Sequence, residues 1–249
     1  MDTPGSRHRG ILEIVGPRIA NGILPAGSVM TLADLEAEFE CSRTVARDVQ
    51  RSLEECGLTV AQRRRGLIVQ PMQYWNVFHP DVIRWRLSGE GRERQMESLT
   101  DLRMAIETRA VALAAKYASR DERTEILKAG LKVVELGLES AGPEFMEWDI
   151  RFHRLILKAC GNEMFAALST VIESVLTWRT QLNLMPPVPE PRAIHNHEQI
   201  ARAIYAGDAD AAVAAMRDLV DEVQEAFASH MPNVLRSATT ATPLPPPAE

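Results

Sequence analysis

The sequence predicts a mainly α protein of two parts: an N-terminal winged helix-turn-helix and a C-terminal all-α antiparallel helical bundle. Leu32 to Val69 shows the pattern of two short helices around a tight turn, followed by a hairpin with a basic tip. From Asp81 to His230, apolar residues recur at helical spacing almost without a break. The links between these helices are short, which favours antiparallel neighbours.

Local signals mark each element of the first part. Apolar residues at positions 11–20 form a helical stripe. Thr31 and Ser42 stand where they can cap the N-termini of the next two helices, and Gly57 ends the second of these. Residues 58–69 alternate in polarity and are interrupted by charge and a glycine, which is typical of a hairpin.

The second part is divided by helix stops rich in Gly, Pro, Asn and Asp. The predicted helices cover about residues 81–88, 96–119, 122–139, 143–160, 162–183, 191–206 and 208–230. They form a bundle of six or seven members.

These patterns divide the chain into four segments. Residues 1–72 form the winged helix-turn-helix domain, with a frayed start over residues 1–9. Residues 73–88 form a linker and a linker helix, and residues 89–236 form the all-helical domain. The tail 237–249 is rich in Pro and Thr, so we expect it to be disordered.

Charge is unevenly distributed along the chain. The formal net charge is −6, which excludes a protein that is basic throughout, such as a histone-like protein. From Arg43 to Arg65, however, six arginines stand against Asp48, Glu54 and Glu55. Specific DNA binding needs only such a local basic patch.

Several other classes of protein lack support in the sequence. Cys41, Cys56 and Cys160 share no CxxC spacing, so neither a disulfide framework nor a structural zinc ribbon is implied. No run of about 18 apolar residues occurs, and no apolar stretch follows basic residues at the N-terminus. We expect a soluble, cytoplasmic protein with no membrane partner.

Polar and basic side chains gather at the start of the second helix of the motif. Arg43 and Arg47 are four residues apart and share a face opposite the apolar stripe, where they could reach base edges in the major groove. Ser42 and Thr44 offer hydroxyls suited to phosphate contacts. The alternative is a solvated, salt-bridged helix face. The coincidence with the turn, the cap and the hairpin favours DNA binding.

The tip of the hairpin is also basic. Arg64 and Arg65 precede Gly66, which lets the hairpin turn and approach a backbone closely. Such a tip suits phosphates or the narrow minor groove. We therefore predict that Arg64, Arg65 and Gly66 take part in DNA binding.

The N-terminal motif resembles the GntR family of bacterial transcription regulators, whose pattern is S-R-x-x-[VI]-R-[ED]-A-L-x-x-L-x-x-x-G-L. The resemblance is carried by CSRTVARD at 41–48, LEECGL at 53–58 and the wing at 63–69. It implies that Arg43, Arg47 and Gly66 contact operator DNA. A third arginine of the family pattern falls on Ala33 here, so one expected contact is missing.

The helical remainder resembles the FCD effector domain of the FadR subfamily, and with the first domain the resemblance spans about residues 10–232. It is carried by Asp101-Leu102-Arg103, Glu107, Trp148 to His153, Gly161-Asn162 and His197. The resemblance implies that residues 89–236 bind a small effector and form a homodimer. Two N-terminal domains would then read the half-sites of a palindromic double-stranded operator.

A candidate metal site follows from spacing and resemblance together. Asp149 and His153 are four residues apart and share a helical face, which suits two ligands of one metal but also fits a plain surface pair. The resemblance implies that Asp149, His153 and His197 are metal ligands, commonly for zinc or nickel, within the effector site. The family's fourth ligand falls on Leu219, so the site could hold a loose metal, a metal completed by the effector, or none. His195 is interpreted as a solvated neighbour.

Arg103 matches the family arginine that points into the bundle cavity, where it can hold a carboxylate bidentately. An ordinary helix salt bridge with Asp101 or Glu107 explains Arg103 equally well. The sequence alone fits both roles.

The linker narrows the expected effector class. The pattern W-N-x-x-x-x-D-V-x-x-W-x-L, from Trp75 to Leu87, resembles the branch of sugar-acid regulators that contains the galactonate-operon repressor. It implies a repressor of aldonate catabolism genes, released by an acid such as galactonate or gluconate. The alternatives are an activator, a regulator that answers to another small carboxylate, and a metal-dependent hydrolase using Asp149, His153 and His197.

Overall fold

The structure, a computed structural model, describes residues 4–139, 142–183 and 188–240, with side chains over 7–139, 142–183 and 188–229. It divides into two compact units, Met1–Met96 and Glu97–Glu249. No helix within the described ranges is both long and apolar enough to cross a membrane.

The first unit contains four helices and a small sheet within its described residues. These elements are α1 (Pro4–Ala20), β1 (Val29–Met30), α2 (Leu32–Glu38), α3 (Arg43–Glu55), β2 (Thr59–Gln62), β3 (Gly66–Val69), a 3-10 turn (Met72–Tyr74) and α4 (Pro80–Leu87). The sheet is antiparallel with the order β1-β3-β2. The predicted winged helix-turn-helix is confirmed.

The local caps explain where the helices of the motif begin. Thr31 and Asp34 form a reciprocal capping box at the start of α2. The Ser42 hydroxyl accepts a hydrogen bond from the Val45 N–H at the start of α3. After α3, Gly57 adopts φ +69°, a left-handed conformation that ends the helix at low cost.

Helix α4, which lies in the predicted linker, is built into the core of the first unit. Trp85 is fully buried there, and a Cβ on Gly16 would come within 2.5 Å of its ring. The indole Nε1 donates to Glu13 Oε2 at 3.2 Å, and Arg9 Nη2 lies 2.5 Å from Asp81 Oδ1. The contact between α1 and α4 therefore requires a glycine on one helix and a tryptophan on the other.

The second unit is entirely helical over its described residues. Its helices are α5 (Arg92–Tyr117, which begins in the first unit), α6 (Arg120–Gly137), α7 (Pro143–Ala159), α8 (Glu163–Ala167), α9 (Ser169–Gln181), α10 (Pro191–Ala206) and α11 (Ala209–Thr240). Helix α10 packs on α6 and α11, and α7 packs on α6 and α9. The predicted fold class is confirmed.

Three predicted details differ from the structure. The single helix predicted at 162–183 is two helices, because the side-chain Oδ1 of Asn162 caps α8 and Leu168 adopts a turn-like conformation before α9. Residues 4–9 of the predicted frayed start belong to α1, and residues 237–240 of the predicted disordered tail belong to α11. Residues 1–3 and 241–249 lie outside the described residues.

Candidate DNA-binding surface and buried effector site

Helix α3 presents its predicted recognition residues to solvent. All of them are exposed: Ser42, Arg43, Thr44 and Arg47. The opposite face is buried through Val45 and Val49. Arg43 Nη1 lies 3.6 Å from Glu36 Oε1, and Arg47 makes no ion pair with any described residue. The two guanidiniums are thus accessible to a partner, as a base-reading role requires.

The wing brings Arg64 and Arg65 to an exposed tip. Arg64 has φ +66°, a left-handed conformation that is uncommon for a residue with a side chain. Gly66 has φ +99°, and a Cβ there would come within 2.5 Å of the Met30 carbonyl oxygen. Gly66 is therefore needed for the approach of β1 to β3, whatever its role toward DNA.

The second unit buries an unusual number of ionisable side chains in its core. Seven of them are at least nine-tenths buried: Arg103, Glu107, Asp149, His153, Arg179, His197 and Glu222. Charged groups this deep in a protein are normally paired or bind a ligand. Their contacts therefore identify the candidate site.

Helices α7 and α10 bring the three predicted metal ligands together. Asp149 and His153 lie one turn apart on α7, and His197 faces them from α10. Asp149 Oδ1 lies 2.9 Å from His197 Nε2 and 3.4 Å from His153 Nε2. One ligand atom from each residue lies within 4.8 Å of the others.

The outer nitrogen of each imidazole is held so that the inner one faces Asp149. His197 Nδ1 lies 2.7 Å from the Ala193 carbonyl oxygen, which can only accept, so this nitrogen carries a hydrogen. His153 Nδ1 likewise donates to the Glu107 carboxylate. A carbonyl or carboxylate behind a histidine is the usual way in which proteins orient a metal-binding imidazole.

One unpaired atom of the three predicted ligands fits a metal cation. His153 Nε2 is buried without a hydrogen-bond partner among the described residues. With its Nδ1 hydrogen engaged, a neutral imidazole would direct the Nε2 lone pair at the Asp149 carboxylate, which is repulsive. A proton or a divalent cation between the two groups makes the contact attractive. Two imidazoles and one carboxylate suit zinc or nickel.

The electrostatics keep both acids of the cluster ionised. Burial alone would raise the pKa of Glu107, but the charges of Arg103 and His153 beside it lower that pKa to about 2. Burial would likewise raise the pKa of Asp149, yet the adjacent His153 and His197 imidazoles hold it well below its usual range. For His153, burial opposes the charged form, but Glu107 and Asp149 together outweigh burial and raise the pKa.

Arg103 has features of both roles that the sequence allows, the helix salt bridge and the arginine that holds a ligand carboxylate. Its Nε donates to Glu107 Oε1 at 2.6 Å, which is the helix salt bridge. Its side chain is nevertheless only 2% exposed, and its Nη1 has no hydrogen-bond partner among the described residues. A surface ion pair leaves no such buried, unsatisfied donor. Arg103 therefore has a free donor inside the second unit.

Arg179 belongs to the same cluster and was not predicted. Its Nη2 donates to Asp149 Oδ2 at 3.1 Å, while its Nε and Nη1 have no partner among the described residues. Burial and the positive charge of Arg103 lower its pKa to about 10. A signal was present in the sequence: Arg179 follows Ile172, Val175 and Leu176 at helical spacing and so lies on the buried face of α9.

Two other sequence predictions concern this unit. His195 is exposed, as expected for a solvated neighbour of His197. Leu219 is 2% exposed and packs within the apolar core of the second unit. Its side chain offers no ligand atom.

Comparison with known proteins identifies the family. The model of the FCD domain matches residues 98–222, or 125 of the 249 residues. The chain belongs to the FCD family. The galactonate operon transcriptional repressor of Escherichia coli K12 is 28% identical over 209 residues, covering 81% of this chain and 88% of that protein. The HTH-type transcriptional repressor NanR of the same strain is 25% identical over 207 residues, covering 81% and 72%.

A solved structure supports the same fold. The protein Lar, which controls expression of the Listeria monocytogenes agr system, aligns with a TM-score of 0.55 at 14% identity, over 89% of this chain and 96% of that one. Together these matches make the chain a GntR/FadR-type transcription regulator with an FCD domain. Regulators of this type bind operator DNA and small-molecule effectors and usually act as dimers. They are not enzymes, so the hydrolase alternative is set aside.

Proposed function

We propose that this regulator is a homodimeric repressor of sugar-acid catabolism genes, released from its operator by an aldonic acid such as galactonate or gluconate. The observation that carries the proposal is the buried, unsatisfied Nη1 of Arg103, together with two unsatisfied nitrogens of Arg179, beside the Asp149 cluster. Buried guanidinium groups with free N–H donors suit a carboxylate. Similarity to the galactonate repressor supports the sugar-acid class.

The metal ligands of the proposed site are Asp149, His153 and His197, for zinc or nickel. A bound divalent cation would supply a Lewis acid for the oxygens of the effector. In this chain, Glu107 and the Ala193 carbonyl oxygen orient the two imidazoles, and Arg179 holds the second oxygen of Asp149. Because Leu219 provides no fourth ligand, an oxygen of the effector would complete the coordination of the metal.

The DNA contacts of the proposed repressor come from α3 and the wing. Arg43 and Arg47 would read base edges in each half-site, with Ser42 and Thr44 on phosphates. The wing, through Arg64 and Arg65, would contact the backbone or minor groove. The effector must bind more tightly to an arrangement of the dimer that does not match the operator, since only differential affinity shifts such an equilibrium.

The proposal is tested by operator binding with and without the effector. Labelled fragments from the sequence flanking the protein's own gene are titrated by fluorescence anisotropy, with zinc at a fixed concentration. We expect galactonate or gluconate to weaken wild-type binding at least tenfold. Arg103→Lys keeps the positive charge but loses the planar fork, so it should bind DNA normally and respond only at about tenfold higher acid concentration.

Arg109→Lys is the matched control, because Arg109 lies exposed on the same helix as Arg103. Its response should equal that of the wild type. Release by an unrelated acid but by no sugar acid would overturn the effector class. Failure to bind any flanking fragment would overturn the proposal that the protein is a repressor.

A further inference from the structure

Glu36, on α2, lies beside one of the two reading arginines that α3 exposes to solvent. Its carboxylate Oε1 is 3.6 Å from Arg43 Nη1, across the turn of the motif. The Arg43 side chain is 65% exposed, whereas that of Glu36 is 30% exposed. Arg47 makes no ion pair with any described residue. The two arginines therefore differ in whether a carboxylate accompanies them.

The Glu36 carboxylate has an unsatisfied atom at this contact. Oε1 is shielded from solvent and accepts no hydrogen bond from any described residue. A buried acceptor without a partner is costly, so this oxygen favours a nearby donor. Among the described residues, Arg43 is the cation paired with it. A small shift of the exposed guanidinium would turn the ion pair into a charge-assisted hydrogen bond.

Both ends of this contact are carried by backbone that is held in place. The Cys41 N–H donates to the Glu36 carbonyl oxygen at 3.3 Å, which closes the turn on α2. Leu35, next to Glu36, is buried in the core of the first unit. Ser42 caps α3 one residue before Arg43. The carboxylate therefore has a fixed base from which it can orient the long Arg43 side chain.

The position of the contact on the guanidinium suits recognition of guanine. An arginine has five N–H donors, and a bidentate contact with guanine O6 and N7 needs only two of them. With Glu36 at Nη1, the edge formed by Nε and Nη2 stays available. Holding the side chain in one conformation before binding lowers the entropy lost in the complex. The carboxylate also offsets the attraction of Arg43 for phosphates, which every DNA sequence offers.

We infer that Glu36 is a specificity-determining residue of the DNA-binding surface, which orients Arg43 toward a guanine and weakens its attraction to phosphates. The inference rests on the proposed function, to which it adds a positioning residue that contacts no DNA itself. Base discrimination by Arg43 depends on Glu36, whereas discrimination by Arg47 does not.

Titrations with single-base variants of the operator test this role. Fluorescence anisotropy gives the affinity of each protein for the operator and for fragments in which one G·C pair at a time is replaced. Arg43→Ala and Arg47→Ala identify the base pair that each arginine reads. Glu36→Gln keeps the size of the side chain but removes its charge. It should lower discrimination at the Arg43 pair about fivefold and change discrimination at the Arg47 pair by less than about twofold.

Glu38→Gln is the matched control, because Glu38 is an exposed acid on the same helix that pairs with Arg18 instead. It should keep the wild-type discrimination at both base pairs. In an Arg43→Ala background, Glu36→Gln should reduce discrimination no further, since the side chain that it orients is absent. Thermal midpoints verify that each variant is folded.

Two outcomes would overturn the inference and leave the proposed function standing. An equal loss of discrimination at both base pairs would make Glu36 structural. Unchanged discrimination at the Arg43 pair, even with tighter binding of every fragment, would mean that Glu36 at most repels DNA. If Arg43→Ala itself keeps the wild-type discrimination, the base contact assigned to Arg43 in the proposed function is overturned together with the inference.

Discussion

In the winged helix-turn-helix, the arginines predicted to read DNA lie in water, whereas in the helical unit the arginines and acids of the candidate effector site are shielded from it. Arg47 on α3 is exposed and makes no ion pair with a described residue, while Arg103 on α5 is 2% exposed and paired with Glu107. An exposed charge can meet a large polyanion without rearrangement. A buried charge is already paired within the protein, so its ligand must bind the polar atoms that still lack a hydrogen-bond partner.

This difference predicts which substitutions should affect binding and which should affect stability. Changes on α3 and the wing should alter binding with little effect on stability. Changes in the buried cluster should alter stability first. The following predictions run from the largest expected effect to the smallest.

Glu107→Ala should be the most damaging single substitution in the cluster. It removes the shared partner of Arg103 and His153 and leaves two buried groups uncompensated. We expect a loss of about 3–5 kcal/mol in the free energy of unfolding, measured by urea denaturation. Glu225→Ala removes an exposed ion pair and should cost at most about 1 kcal/mol. Equal losses in the two variants would refute the contrast between buried and exposed charges.

Zinc should stabilise the folded protein through the predicted ligands. A cation present at about 100 times its dissociation constant adds about 2.7 kcal/mol, which a thermal-shift measurement detects. His197→Ala should abolish this shift, since it removes the ligand that faces Asp149 from α10. His195→Ala, two residues away and exposed, should retain it. A shift that survives in His197→Ala would assign the metal to other residues.

Arg47→Ala should weaken operator binding by about 1–3 kcal/mol, because a bidentate contact with a base is lost. Its unfolding free energy should stay within about 0.5 kcal/mol of the wild type, since the side chain is exposed. Arg120→Ala removes one exposed arginine from the second unit and serves as a charge-matched control. Undiminished affinity in Arg47→Ala would remove this residue from the interface.

Arg64→Gly should give the smallest effect and separates binding from folding in the wing. Glycine tolerates the left-handed conformation at φ +66°, so stability should not fall. If Arg64 contacts a phosphate, the slope of log affinity against log salt should drop by about 0.9. Arg7→Gly tests an exposed arginine outside the predicted contacts and should leave the slope unchanged. An unchanged slope in Arg64→Gly would remove the predicted phosphate contact.

Local signals made most of the fold predictable from the sequence. The caps at Thr31 and Ser42 and the left-handed Gly57 act within a few residues, so spacing alone reveals them. Strand β1 was not predicted, because two residues carry no pattern of their own and the strand exists only by pairing with β3. The division of the segment 162–183 depends on a single turn at Leu168, which interrupts no apolar stripe.

The candidate site was predictable only in part, because its contacts join different helices. Asp149 and His153 share a face by spacing, but spacing cannot show that Glu107, on a different helix, holds the far side of His153. Arg179 and Glu222 lie on apolar faces of α9 and α11, where a charged residue is a warning of a buried site. Such a residue indicates where a buried site lies but not which side chains it contacts. The roles of the predicted residues in binding DNA and in binding the effector stay predictions.

The tryptophan of α4 packed over Gly16 bears on how such regulators can be recombined. Helix α4 contributes Trp85 to the core of the first unit, so a reading head cut after residue 72 would lose a core side chain and expose the glycine beneath it. A chimera that joins this head to another sensor should therefore keep the chain through Leu87. The modular boundary for engineering lies beyond α4, not at the end of the wing.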